Sequence, residues 1–131
     1  MKLYIFSLAT FALVYSASAA PLQNATRYKS VDLPGEDYVP GSSLYPSDVI
    51  RRYFVHKANY ALPEDWAKYV LEECKKSDTC ITSASFLSVA SDDEKNAYWF
   101  GYIFRGSGPV NATSFQRADG IQGARAFTID P

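Results

Sequence analysis

The chain has 131 residues, with 13 Lys and Arg, 14 Asp and Glu, and 47% apolar residues. These values predict one small globular domain and exclude a disordered or collagen-like chain. The formal net charge is −1, and basic residues never form a run longer than a pair. We therefore expect no nucleic-acid partner, because the phosphate backbone selects for a basic surface.

The N-terminus has the pattern of a secretory signal peptide. One charge at Lys2 precedes an apolar run over residues 3–15 and the small-residue exit Ala17-Ser18-Ala19. The pattern predicts a signal peptide over residues 1–19, cleaved after Ala19. The apolar run is shorter than the roughly 20 residues of a transmembrane helix. We therefore expect a secreted, extracellular protein without a membrane anchor.

Residues 20–46 contain four prolines and two glycines, and their apolar residues stand singly. Such a segment is typical of an extended arm, and a pro-segment is the alternative interpretation. We expect one α+β domain to follow over residues 47–131.

The domain is expected to begin with a short helix over residues 47–57. Ser47 and Asp48 offer an N-cap, and the apolar residues after them recur with helical spacing. Arg51 and Arg52 would lie on the polar side of this helix. The same pair could instead be a dibasic processing site that frees a chain beginning at Tyr53.

Residues 63–76 carry the strongest helix signals. Pro63 suits a first turn, acidic residues follow it, and Lys75 and Lys76 stand at the C-terminal end, where they favour the helix dipole. Trp66, Val70 and Cys74 recur at four-residue intervals and predict the buried stripe.

Two strands and a polar turn are expected after this helix. Residues 80–90 and 97–105 are rich in β-branched and aromatic residues, and the turn over residues 91–96 predicts a hairpin. Both faces of the second strand are apolar, so we expect it to be central and covered by the helix on one side. Residues 125–129 predict a last strand. The expected fold is therefore a small antiparallel sheet with one main helix packed on a face.

The two cysteines, Cys74 and Cys80, are predicted to form a disulfide, because a secreted protein meets an oxidising environment. Closing so short a loop stabilises the fold by about 2 kcal/mol in the chain-entropy picture. A zinc site needs about four ligands, and the good nitrogen and sulfur donors of this chain are the two cysteines and His56. We therefore expect no metal, and we also expect no cofactor. Sequons at Asn24 and Asn111 predict a glycoprotein.

The order of these elements resembles PAN/apple-like domains of small secreted fungal proteins. The similarity covers about residues 60–129: a helix that ends in Cys74, the short spacing to Cys80, a strand with Phe86, and the aromatic strand over residues 98–104. Apple-like domains usually have further cysteines, which this chain lacks. The resemblance implies a noncatalytic module that binds an extracellular protein or glycan, as a fungal secreted effector would, and it assigns no ligand-contacting residue.

Catalysis has few candidate residues. His56 is the one histidine of the chain and could act as a general base. A secreted ribonuclease is the enzyme alternative, with His56, a carboxylate of Glu72 or Glu73, and a phosphate-binding Arg105 or Arg125. We favour a noncatalytic protein, since this near-neutral chain offers little steering for RNA.

Exposed tyrosines are the candidate binding residues. Tyr28, Tyr38, Tyr45 and Tyr60 lie in predicted loops, where their rings could stack on a sugar or anchor a partner protein. The alternative is that these rings attach the N-terminal arm to the sheet.

Overall fold

The structure is a computed structural model, and it describes residues 26–90 and 93–131. The predicted signal peptide and the sequon asparagine Asn24 lie outside the described residues. In the described part, the chain forms these elements in order: β1 (Tyr28–Ser30), β2 (Tyr38–Pro40), β3 (Val49–His56), a 3-10 turn (Lys57–Asn59), α1 (Pro63–Lys75), β4 (Cys80–Ala90), β5 (Asp93–Arg105), a 3-10 turn (Ala112–Ser114), β6 (Phe115–Arg117) and β7 (Ile121–Ile129).

Five of these strands form one antiparallel sheet in the order β1-β7-β4-β5-β3, and β2 pairs with β6 in a small second sheet. Helix α1 packs on one face of the large sheet, where it contacts β4, β5 and β7. The expectation of an α+β fold with an antiparallel sheet and one packed helix is confirmed.

The hairpin of β4 and β5 is the centre of this sheet. Strand β4 has the predicted bounds, whereas β5 begins at Asp93, four residues before the predicted start. Both faces of β5 are packed, as its sequence predicts. Trp99 and Ile103 belong to the core under the helix, and Tyr102 and Phe104 belong to the core on the opposite face.

Helix α1 lies very close to the sheet because the residue beneath it has no side chain. An added Cβ at Gly101 of β5 would lie 2.4 Å from Cγ2 of Val70, which is fully buried. At the first turn, a Cβ at Gly123 would lie 3.0 Å from Pro63. Gly123 has a φ of +62° and lies where β7 shifts register against β4, which is the geometry of a β-bulge.

The disulfide prediction is confirmed. Cys74, at the end of the buried helix stripe, is bonded to Cys80, the first residue of β4. Both residues are buried. The bond therefore joins the C-terminal end of α1 to the sheet on which the helix packs.

The predicted helix over residues 47–57 is wrong, because this segment is the edge strand β3. A bulge between Val49 and Arg51 shifts the register, so Ile50, Tyr53 and Val55 all pack in the helix-side core. The sequence spacing that mimics a helical face thus arises from a strand with one irregular residue.

The described part of the predicted arm, residues 26–46, takes part in the core. Strand β1 pairs with β7, and Val31 and Leu44 are buried in the cluster on the face opposite α1. The predicted domain boundary at residue 47 therefore separates residues that pack in the same hydrophobic core. The Arg51-Arg52 pair lies within β3, where cleavage would cut a strand that is paired with β5.

Gly101→Ala is expected to destabilise the protein by about 1–3 kcal/mol, because the added methyl group would push α1 away from the sheet. Gly108→Ala is the matched control, since nothing lies within 4 Å of the added Cβ at that position. Urea unfolding measures both variants. Val70→Ala combined with Gly101→Ala should recover part of the loss. An equal unfolding midpoint for the two glycine variants would contradict this account of the packing.

Candidate binding surface

The even-numbered residues of β5 place a row of aromatic side chains on the sheet face opposite α1. Their neighbours on β3 continue this row toward the edge of the sheet, because Phe54 pairs with Phe100 and His56 pairs with Tyr98. We call the following set the aromatic face: Tyr45, Phe54, Tyr98, Phe100 and Tyr102.

The rings of this row run from the core to solvent. Phe86 and Phe100 stack with ring centroids 5.9 Å apart, and Phe100 stacks on Phe54 at 6.2 Å. Phe86 is buried, whereas the Phe54 side chain is 58% exposed. Tyr45 and Tyr98 are also exposed, at 43% and 37%. The row therefore ends in an apolar surface open to solvent.

Arg52 is the charged group of this surface. Its guanidinium carbon lies 5.9 Å from the centroid of the Phe54 ring, a cation–π contact. Arg52 pairs in register with Tyr102, whose ring meets Tyr45 edge-on at 5.4 Å. Burial, together with the nearby hydroxyl of Tyr45, raises the pKa of Tyr102, and Arg52 acts in the opposite direction. The Tyr102 hydroxyl therefore stays protonated at neutral pH.

His56 uses both ring nitrogens within the fold. The Ala58 N–H donates to Nδ1 at 3.1 Å, so the proton of the neutral ring is on Nε2, which lies 2.9 Å from the Lys95 carbonyl oxygen. His56 thereby caps the 3-10 turn over residues 57–59. Its ring also meets Tyr98 edge-on at 5.3 Å. These contacts give the residue a structural role at the end of β3.

The residues of the ribonuclease alternative do not converge. Arg105 lies seven positions along β5 from Tyr98, the partner of His56, which is roughly 23 Å at about 3.3 Å per residue. Arg125 instead forms ion pairs with Glu64 at 3.2 Å and Glu36 at 3.5 Å.

The helix carboxylates are engaged elsewhere. Glu73 pairs with Lys76 at 2.8 Å and accepts a hydrogen bond from the Tyr53 hydroxyl at 3.5 Å. Glu72 pairs with Lys75 at 3.2 Å. Within residues 26–90 and 93–131, no group of three or more His, Cys, Asp and Glu side chains could hold a metal ion.

The four tyrosines predicted to bind a ligand lie on both sides of the sheet. Tyr28 and Tyr60 pack against the helix-side core, whereas Tyr38 packs against the opposite core and Tyr45 contacts Tyr102 on that side. Tyr45 is thus the member of the set that lies on the aromatic face. The rings of Tyr60 and Trp66 meet edge-on at 5.1 Å, and the Arg117 guanidinium lies over Tyr38.

Tyr28 connects the N-terminal strand to the disulfide corner. Its hydroxyl donates a hydrogen bond to the Cys80 carbonyl at 3.0 Å, and it lies 3.6 Å from Sγ of Cys74. The phenol is half-buried, and this burial raises its pKa. The alternative role, in which a tyrosine attaches the N-terminal arm to the sheet, fits this residue.

The second sequon lies at the surface. Asn111 is exposed and caps the 3-10 turn over residues 112–114, where its side-chain oxygen accepts from the Thr113 N–H at 2.9 Å. The Thr113 hydroxyl donates to the same oxygen. The asparagine and threonine of the sequon therefore already adopt a compact local turn.

Surface depressions of about 450 and 410 Å³ lie on either side of residues 30–32. The first contains the Glu36–Arg125 ion pair, and neither includes His56 among the described residues that line it. Among the described helices, none is long and apolar enough to span a membrane.

In comparisons with known proteins, the chain matches no protein-family model, no curated protein and no solved structure. The resemblance to PAN/apple-like domains therefore stays a prediction that rests on the cysteine spacing and the element order.

The sequence does not identify Phe54 and Tyr98 as surface residues. The helical spacing of residues 49–54 places Phe54 on a packed helix face, and the alternation in β5 places Tyr98 in the core. The apolar residues on both faces of β5 were the signal that could have indicated an exposed aromatic surface. The one long helix of the described residues packs on one face of this sheet, so the other face is covered by loops or stays open.

Tyr28→Phe is expected to lower stability by about 1 kcal/mol at pH 7, because the Cys80 carbonyl loses its donor. The folded protein raises the pKa of this phenol above its ordinary value of about 10. Its stabilisation is therefore present below pH 10 and is lost as the pH rises through the folded pKa. Urea midpoints measured from pH 7 to pH 11 should converge for the two proteins at high pH. Tyr98→Phe is the control, and a pH-independent difference for Tyr28→Phe would contradict this linkage.

Proposed function

We propose that this protein is a secreted, noncatalytic module that binds an extracellular protein or glycan on its aromatic face. The observation that carries the proposal is the 58% exposed Phe54 ring, which ends a row of stacked rings beside Arg52. Keeping such a ring in water is unfavourable, since burial of a Phe side chain contributes about 1.5–3 kcal/mol.

The chemistry of the face suits ligand binding. Aromatic rings offer large, rigid contact area, and the tyrosine hydroxyls supply hydrogen bonds at the margin. The Arg52 guanidinium adds donors that recognise carboxylates. Such a surface can stack on a sugar ring or accommodate an apolar side chain of a partner protein.

A noncatalytic role is supported by the positions of the polar groups. Both nitrogens of His56 are engaged within the fold, and Arg105 lies far along β5 from it. Arg125, Glu72 and Glu73 form ion pairs with other residues. A general base needs a free lone pair directed at substrate.

Secretion rests on the signal peptide pattern of residues 1–19. The Cys74–Cys80 bond fits an oxidising compartment. Glycosylation at Asn24 and Asn111, a fungal effector role and membership of the apple-like domains belong to the same proposal.

Phe54→Ala is expected to weaken ligand binding about tenfold or more, because the ring at the end of the row is lost. The assay applies purified protein to a glycan array and to a peptide display library, and then measures affinity for the selected ligands. Leu62→Ala is the matched control, since Leu62 is 54% exposed and lies outside the aromatic face.

RNA degradation is measured on the same samples. RNA loss that disappears in His56→Ala would overturn the noncatalytic proposal in favour of the ribonuclease. Binding that Phe54→Ala and Leu62→Ala reduce equally would show that the ligand does not use the aromatic face.

A further inference from the structure

The outer edge of β3 is open. Strand β3 ends the order of the five-stranded sheet, and among the described residues no strand pairs with its outer side. It is eight residues long, whereas β1 at the other edge has three. Backbone N–H and C=O groups on alternate residues of such an edge are free to pair with another extended chain.

This edge is also basic. Residues 49–63 contain Arg51, Arg52 and Lys57 but no acidic residue, although the whole chain has a net charge of −1. Arg51 and Arg52 are exposed, and neither takes part in an ion pair within the described part of the chain. The edge therefore presents two guanidinium groups that form no salt bridge with a carboxylate of the described residues.

The two arginines lie on opposite faces of the sheet. The Arg51 guanidinium carbon lies 5.8 Å from the centroid of the Tyr53 ring on the helix side, and that of Arg52 lies 5.9 Å from Phe54 on the aromatic side. Successive residues of an added strand also alternate between the two faces. Two consecutive acidic residues of an added strand could therefore each meet one arginine.

A second copy of this chain is a poor occupant. Pairing β3 with β3 would bring the three cations of one copy to the three cations of the other, and charged edge residues are a common defence against such self-pairing. An acidic extended segment would instead place carboxylates opposite these cations, and cross-strand pairs of opposite charge stabilise a sheet.

We infer that the β3 edge binds an extended, acidic segment of a protein partner as an additional antiparallel strand. The inference rests on the proposed binding function and names the partner class for that surface. In antiparallel register, the segment reads from its N-terminus as three apolar residues opposite Val55, Phe54 and Tyr53. Two acidic residues follow, opposite Arg52 and Arg51. The middle apolar residue lies beside Phe54 and extends the aromatic face.

The probes are three synthetic peptides. The first contains the core Val-Phe-Val-Glu-Glu between Ser-Thr flanks, and the second replaces both Glu residues with Lys. The third keeps the sequence of the first but is N-methylated at Phe and at the first Glu, the residues opposite Phe54 and Arg52, so it cannot donate the strand hydrogen bonds there. Fluorescence anisotropy measures their affinity for the folded, disulfide-bonded protein. The first peptide should bind about tenfold more tightly than either of the others.

Exchanging the charges provides the sharpest test. Arg51→Glu combined with Arg52→Glu should reverse the preference, so that the Lys peptide binds more tightly than the Glu peptide. Arg27→Glu combined with Lys68→Glu changes the net charge equally at exposed positions away from β3 and should keep the original preference. Arg51→Gln combined with Arg52→Gln should bind both peptides about equally, and it serves if the glutamate variant does not fold.

The other outcomes separate this inference from the proposed function. Equal binding of the Glu and Lys peptides to the unmodified protein would overturn the β3 inference. So would sedimentation of the unmodified protein as a dimer that the β3 variants abolish. A glycan ligand that is sensitive to Phe54→Ala but not to the arginine substitutions would also overturn it, while leaving the proposed function intact.

Discussion

The close approach of helix α1 to the sheet at Gly101 is the constraint on which the rest of the fold depends. Val70 lies where any side chain on Gly101 would be, so the helix lies directly on the backbone of β5. This contact brings Trp66 into the core, where its indole N–H donates to the Phe100 carbonyl at 2.9 Å. The disulfide then fixes the other end of the helix to β4. The helix thereby covers β4, β5 and β7 on one face of the sheet.

The opposite face is covered by short pieces of chain. The two-stranded sheet of β2 and β6 and the buried side chains of Val31 and Leu44 pack over part of it. These pieces reach Val49 at the start of β3 but leave Phe54, where the row of rings ends, exposed. The exposed aromatic face is therefore a consequence of geometry: within the described residues, one long helix and a short arm do not bury both faces of the five-stranded sheet. A ligand bound at this surface would cover apolar side chains that stay exposed to solvent after folding.

The elements with strong local signals were predictable from the sequence. The helix is indicated by local features: Pro63, the acidic first turn and the apolar stripe that ends at Cys74. Strand β4 is indicated by its β-branched and aromatic residues. The segment over residues 47–57 was not predictable, because its apolar spacing fits a helix equally well. This segment is a strand because it pairs with β5, with a bulge after Val49, and the pairing partners lie about 50 positions away in the sequence. The candidate site shared this difficulty, since its most exposed ring, Phe54, and its charged group, Arg52, lie on β3.

The sequence by itself determined the secretory pattern, the disulfide pair, the central hairpin and the class of fold. These depend on residue types and on contacts between near neighbours in the chain. The tertiary structure alone decided which aromatic rings are buried and which meet solvent. It also decided that the two nitrogens of His56 are engaged within the fold and that Arg51 and Arg52 lie on an open edge. The physical reason is that exposure depends on what packs against a residue, and those partners come from distant parts of the chain.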